Sequence, residues 1–119
     1  MNLNEIAKAS YETARKRKEN GANISAKTRD MLKHCATEVV EAMEAYQKYR
    51  CAPYFEEGSS IQDLNRKIEG RKNDFASELA DIISCAAIIA HAEKIDLDKA
   101  VADCLEKNRK RAEGTGDKL

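Results

Sequence analysis

The chain has 119 residues, which suits one domain with a modest core, since a chain of this size buries only about two thirds of its unfolded surface. Lys plus Arg and Asp plus Glu number 21 each, so no net field draws the protein to a nucleic acid polymer or an anionic membrane. One Pro, five Gly and 35% charged residues describe helices rather than sheets.

The first predicted helix covers about residues 4–19. Ile6, Tyr11 and Ala14 give it a partial apolar stripe, and Asn20-Gly21 ends it. Arg15 to Lys18 complement the dipole at its carboxyl end. A second helix is expected over 25–50, capped by Ser25, with Leu32, Cys35, Val39, Met43 and Tyr46 recurring at the spacing of one helical face. Pro53 and Gly58-Ser59-Ser60 then break the chain. Residues 51–73 read as a long mobile connection, with at most a short turn of helix over 61–69 before Gly70.

The third helix is expected over 74–93, capped by Asn73 or Asp74 and carrying Phe75, Leu79, Ile82, Ala86 and Ile89 on one side. Ile83, Ala87 and Ala90 widen that side until the helix is apolar nearly all round, which implies cover from a second subunit. Its apolar run, 79–92, is shorter than the ~20 residues of a membrane span and contains Asp81 and His91, so it reads as a buried helix and not an anchor. Asp96 caps a fourth helix over 97–111, built on Leu97, Val101 and Leu105. Residues 113–119 have no apolar content to fix them and are expected to be disordered. The predicted fold is therefore all-α, a four-helix-bundle-like domain over residues 1–112 that assembles as an oligomer.

Two acid pairs fall on the two best-defined helices, Glu38 with Glu41 and Glu78 with Asp81. Each pair is spaced i, i+3, which places both carboxylates within reach of one ion, and antiparallel neighbouring helices bring all four together. Such a set of hard oxygen ligands suits Mg²⁺ or Mn²⁺ and not zinc. Acids at the margin of an apolar stripe, with no cation one turn away, are costly unless a metal ion balances them. Glu44 reads as a surface charge. His34 and His91 lack the Glu three residues earlier that a di-iron site requires, and both read as ordinary helix residues. Cys35, Cys51, Cys85 and Cys104 form no Cys-x-x-Cys motif and follow no secretory leader, so reduced thiols in a cytoplasmic protein are expected.

These motifs resemble the MazG-like all-α NTP pyrophosphohydrolases, a family that includes the dimeric dUTPases and dCTP pyrophosphatases. The resemblance rests on Glu38-Val39-Val40-Glu41, on Glu78-Leu79-Ala80-Asp81, on the turn Ile95-Asp96-Leu97-Asp98 and on the closing Lys107-Asn108-Arg109-Lys110-Arg111. It implies cleavage of a (deoxy)nucleoside triphosphate to monophosphate and pyrophosphate by a homodimer or homotetramer. In that reading Glu38, Glu41, Glu78 and Asp81 hold Mg²⁺, Glu38 or Glu41 is the general base, and Lys107, Asn108 and Arg111 bind phosphate. Two departures stand out: the 36 residues from 42 to 77 separate the acid pairs more widely than in many members, and Cys104 stands where many carry a basic residue. The alternative is a non-catalytic helical module that binds nucleotide or protein.

Overall fold

The computed structural model describes residues 2–23, 27–51 and 58–114. Four helices account for nearly all of them: α1 (Leu3–Glu19), α2 (Thr28–Arg50), α3 (Ile61–Ala92) and α4 (Leu97–Ala112). No strand occurs among the described residues, and the all-α fold expected from the sequence is the one adopted. Ser25, Tyr54 and Phe55 lie outside the described residues, as does the tail from 115 onward. Glu113 and Gly114, assigned to that tail on sequence, belong instead to the capped end of α4, where their amides donate to the carbonyls of Arg109 and Arg111.

The main difference from the sequence reading concerns residues 61–73, which are helical. Asn73 and Asp74 are not caps but exposed residues inside a 32-residue α3. The true start is Ser60, whose Oγ accepts the amide of Asp63 at 3.1 Å, the side-chain cap that a helix amino terminus needs. Gly70 does not stop the helix, because a helical glycine costs only about 1 kcal/mol relative to alanine.

The chain divides into two compact units, one containing residues 1–28 and 87–119, the other Arg29–Ala86. In the first, α1 and α4 start side by side and cap each other. Asn2 and Glu5 form a capping box at α1, and the Asp98 carboxylate accepts the amides of Leu3 (3.0 Å) and Asn4 (3.4 Å). In return Asn4 Oδ1 accepts the amide of Leu97 at 2.8 Å, while its Nδ2 donates to Asp96 at 3.0 Å. The bonds from Asn4 and from the Lys99 amide hold the Asp96 carboxyl below its ordinary pKa. The expected turn before α4 is present as a Schellman motif: Ile95 N–H bonds to Ala90 O, Lys94 N–H to His91 O, and Lys94 sits at φ 56°. Ala7, Ala87, Ile88 and Ala90 are buried in this unit, and Tyr11 packs on His91 with ring centroids 4.8 Å apart.

In the second unit α2 runs against the first part of α3 in antiparallel register. Each step forward along α2 is answered by a step back along α3: Cys35 meets Cys85, Glu38 meets Asp81 and Glu78, Glu41 meets Glu78, Tyr46 meets Phe75 and Lys48 meets Arg71. The seam on α2 consists of Met31, Cys35, Glu38, Ala42, Ala45 and Tyr49; on α3 it is Leu64, Ile68, Arg71, Phe75, Glu78, Ile82 and Cys85, all buried or half-buried. Their alternating three-and-four spacing is that of helices packed at a shallow angle.

This seam corrects the expected apolar stripes. Leu32, Val39, Met43 and Tyr46 of α2, and Leu79 of α3, are 44–62% exposed, while Met31, Cys35, Ala42, Ala45 and Tyr49 of α2 and one glutamate from each helix lie in the contact. By length and composition alone α3 also passes as a membrane-crossing helix, yet its inner line carries Arg71 and Glu78.

Candidate metal centre

Glu38 is the only charged residue that is buried among the described residues, at 8% exposure. Its position three residues after Cys35 and four before Ala42 puts it on the inner line of α2, with Glu41 one turn further at the edge. Across the seam Glu78 occupies the same line on α3, half-buried, with Asp81 one turn away and exposed. One carboxylate oxygen from each of Glu38, Glu41 and Glu78 can be chosen so that all three lie within 4.8 Å of one another. The sequence placed these acids at the rim of an apolar stripe; the structure places Glu38 and Glu78 within the contact itself.

The electrostatics are those of a cluster short of positive charge. Burial raises the Glu38 pKa above its ordinary value, the charges of Glu41 and Asp81 raise it further, and His34, 3.0 Å from Glu38 Oε1, only partly offsets them. Glu78 is raised by the same causes in the same order: desolvation, then Glu41, then Asp81. Glu41 is thus the common neighbour whose charge disfavours ionisation of both Glu38 and Glu78. The Oε2 atoms of Glu38 and Glu78 are buried without a hydrogen-bond partner, which is costly for a carboxylate unless a cation satisfies it. Three clustered carboxylates with orphaned oxygens fit a hard divalent ion, whose bonds of about 2.0–2.1 Å for Mg²⁺ span such a set. Asp81 stands beside the set as a fourth carboxylate within electrostatic reach.

An open groove of about 320 Å³ continues from this cluster along α2 and α3. Glu41 and Glu78 form one end, and Glu44, Lys48, Arg71, Asp74 and Ser77 extend it. Arg71 Nη1 donates to the carbonyl of Lys48 at 2.9 Å, which places the two cationic residues together. Neither was singled out by the sequence reading, and Glu44, read there as a surface charge, lines the groove. The readable signal was the helical spacing of Glu41, Glu44 and Lys48 on α2 and of Arg71, Asp74 and Glu78 on α3. On α3 it was hidden because 51–73 was taken for a connection. Tyr49 packs against Phe75 in the seam, with ring centroids 6.4 Å apart.

The expected phosphate-binding residues stand on α4 in the first unit. Lys107 and Asn108 are exposed there, and Arg111 is half-buried with its Nε lacking a hydrogen-bond partner. Asn108 Nδ2 points at Cys104 Sγ, 3.8 Å away, so the cysteine that replaces a basic residue faces the amide expected to bind phosphate.

No curated protein and no solved structure matches the chain. The family model of the MazG nucleotide pyrophosphohydrolase domain matches residues 26–115, a span that includes both acid pairs, the residues of the groove and all of α4. The carboxylate cluster and the all-α architecture agree with that match, and the chain belongs to the MazG nucleotide pyrophosphohydrolase family.

Proposed function

We propose that the protein is a Mg²⁺-dependent enzyme that hydrolyses (deoxy)nucleoside triphosphates between the α and β phosphorus atoms, releasing monophosphate and pyrophosphate. The observation that carries this reading is the cluster of Glu38, Glu41 and Glu78 with its two orphaned buried oxygens. Bound there, Mg²⁺ would neutralise phosphate charge and acidify a water. Glu38 or Glu41 would take the proton of the attacking water, Asp81 would complete the acidic set, and the leaving pyrophosphate would depart as the α-phosphorus–oxygen bond breaks. Lys48 and Arg71, at the far end of the groove from the acids, would bind phosphate charge, Arg71 with the planar fork that suits phosphate oxygens. Lys107, Asn108 and Arg111 are proposed to add further phosphate contacts. The working form is proposed to be a cytoplasmic homodimer or homotetramer, supported by the large apolar residues exposed on α2 and α3.

The test is incubation with Mg²⁺ and a panel of ribo- and deoxyribonucleoside triphosphates, with monophosphate and pyrophosphate both measured. Glu41→Gln and Asp81→Asn should each lower turnover by roughly 100-fold or more, as expected for groups that act on the transition state. Absence of turnover across the panel, or turnover indifferent to both substitutions, rejects the enzyme and favours a binding module.

A further inference from the structure

The seam holds a second group of ligand atoms next to the acid cluster. His34 and Glu38 lie one turn apart on α2, with Nε2 and Oε1 3.0 Å apart, and Cys85 reaches them from α3, so that one ligand atom from each of the three residues lies within 4.8 Å of the other two. We propose that His34, Glu38 and Cys85 form a binding site for a borderline-soft divalent cation of the zinc class, adjoining the hard-oxygen cluster and sharing Glu38 with it.

The donor set selects the ion. One imidazole nitrogen, one thiolate and one carboxylate oxygen match the ligands zinc takes, whereas Mg²⁺ has no use for sulfur. The geometry is close to what such an ion needs. With Zn–N and Zn–O bonds near 2.0–2.1 Å, tetrahedral coordination sets nitrogen and oxygen roughly 3.3 Å apart, a small opening of the 3.0 Å His34–Glu38 contact. Three protein ligands leave the fourth position to water. Access is from the His34 side, where the imidazole is more than half exposed, while Cys85 and Glu38 are buried behind it.

A further observation points to a ligand: Glu38 is more than nine-tenths buried and its Oε2 has no partner. Cys85 is buried beside it, and a zinc-class ion would bind it as the thiolate, displacing its proton. The sequence concealed the site because His34 and Glu38 form an ordinary i, i+4 pair and Cys85 is 47 residues beyond Glu38, with no Cys-x-x-Cys to announce it.

The experiment uses the full chain under a phosphine reductant, with Cys51→Ser and Cys104→Ser removing the two exposed thiols, and titrates Co²⁺ as a spectroscopic stand-in for zinc. One equivalent should bind with a thiolate-to-cobalt charge-transfer band in the near ultraviolet, and Zn²⁺ should displace it. Cys85→Ser should abolish the band. His34→Gln, at an exposed position that does not threaten folding, should weaken binding by roughly tenfold or more. No band in the parent, a band that survives Cys85→Ser, or affinity unchanged by His34→Gln overturns the proposal. The readout is independent of nucleotide turnover, so its failure leaves the catalytic reading untouched.

Discussion

Glu38 is buried beside Glu41 and Asp81, and every large influence on it except His34 disfavours its charge. In the metal-free protein this is a destabilising arrangement. Between the ordinary carboxyl value of 4.5 and the raised values of Glu38 and Glu78, the folded state holds protons that the unfolded state has released, so stability falls as pH rises through that window. Mg²⁺ should reverse the trend, raising Tm above the window and having little effect below it. Glu38→Gln should stabilise the metal-free protein by on the order of 1 kcal/mol, because an unfavourable buried charge is removed, and should abolish most of the Mg²⁺-induced gain; thermal melts with and without Mg²⁺ at two pH values check both. Lys94 presents a different kind of local cost. It holds φ 56° in the turn before α4, where a side chain is disfavoured by about 1 kcal/mol or more. Lys94→Gly should therefore raise stability by a few tenths to about 1 kcal/mol after its greater unfolded-state entropy is counted, measurable by urea denaturation.

At the scale of elements, α3 is continuous through Gly70, which is exposed and has nothing within 4 Å of the place a Cβ would occupy. Gly70→Ala should thus stabilise the protein by about 0.5–1 kcal/mol, an outcome that a loop or turn at this position would not give. Much of the helical plan was legible. Asn20-Gly21 and Asp96 mark real boundaries because capping is local chemistry written in adjacent residues. Ser60 with Asp63 three residues on was equally local, but Pro53 and the glycines at 58 and 70 outweighed it. The acid pairs were legible as a cluster because i, i+3 spacing and antiparallel packing suffice to bring them together. Their burial was not, because size-blind hydrophobicity favours the line of Leu32, Val39 and Met43 over the line of Met31, Cys35, Ala42 and Ala45. Glu38 lies on that second line, and is buried with it. Lys48 and Arg71 were missed for another reason: with 51–73 read as a connection, Arg71 stood off the helix and Lys48 had no cation facing it.

For the whole molecule, the apolar line displaced from the seam becomes a surface. Leu32, Val40 and Met43 on α2 and Ile83 on α3 are 53–62% exposed, the exposure on which the proposed oligomer rests. In the proposed oligomer, Met43→Glu should shift the mass toward monomer in light scattering across a concentration series, whereas the same substitution on a solvated face would leave the mass unchanged. The antiparallel register of α2 and α3 also separates two variables that evolution can alter. One residue inserted within either helix rotates everything beyond it by about 100°, which turns the residues after it off the line that carries Glu38 on α2 or Glu78 on α3. An insertion between Cys51 and Ser60 shifts no residue along either helix axis. A chain built this way is free to lengthen or rewrite that stretch while the distances among Glu38, Glu41 and Glu78 are inherited unaltered.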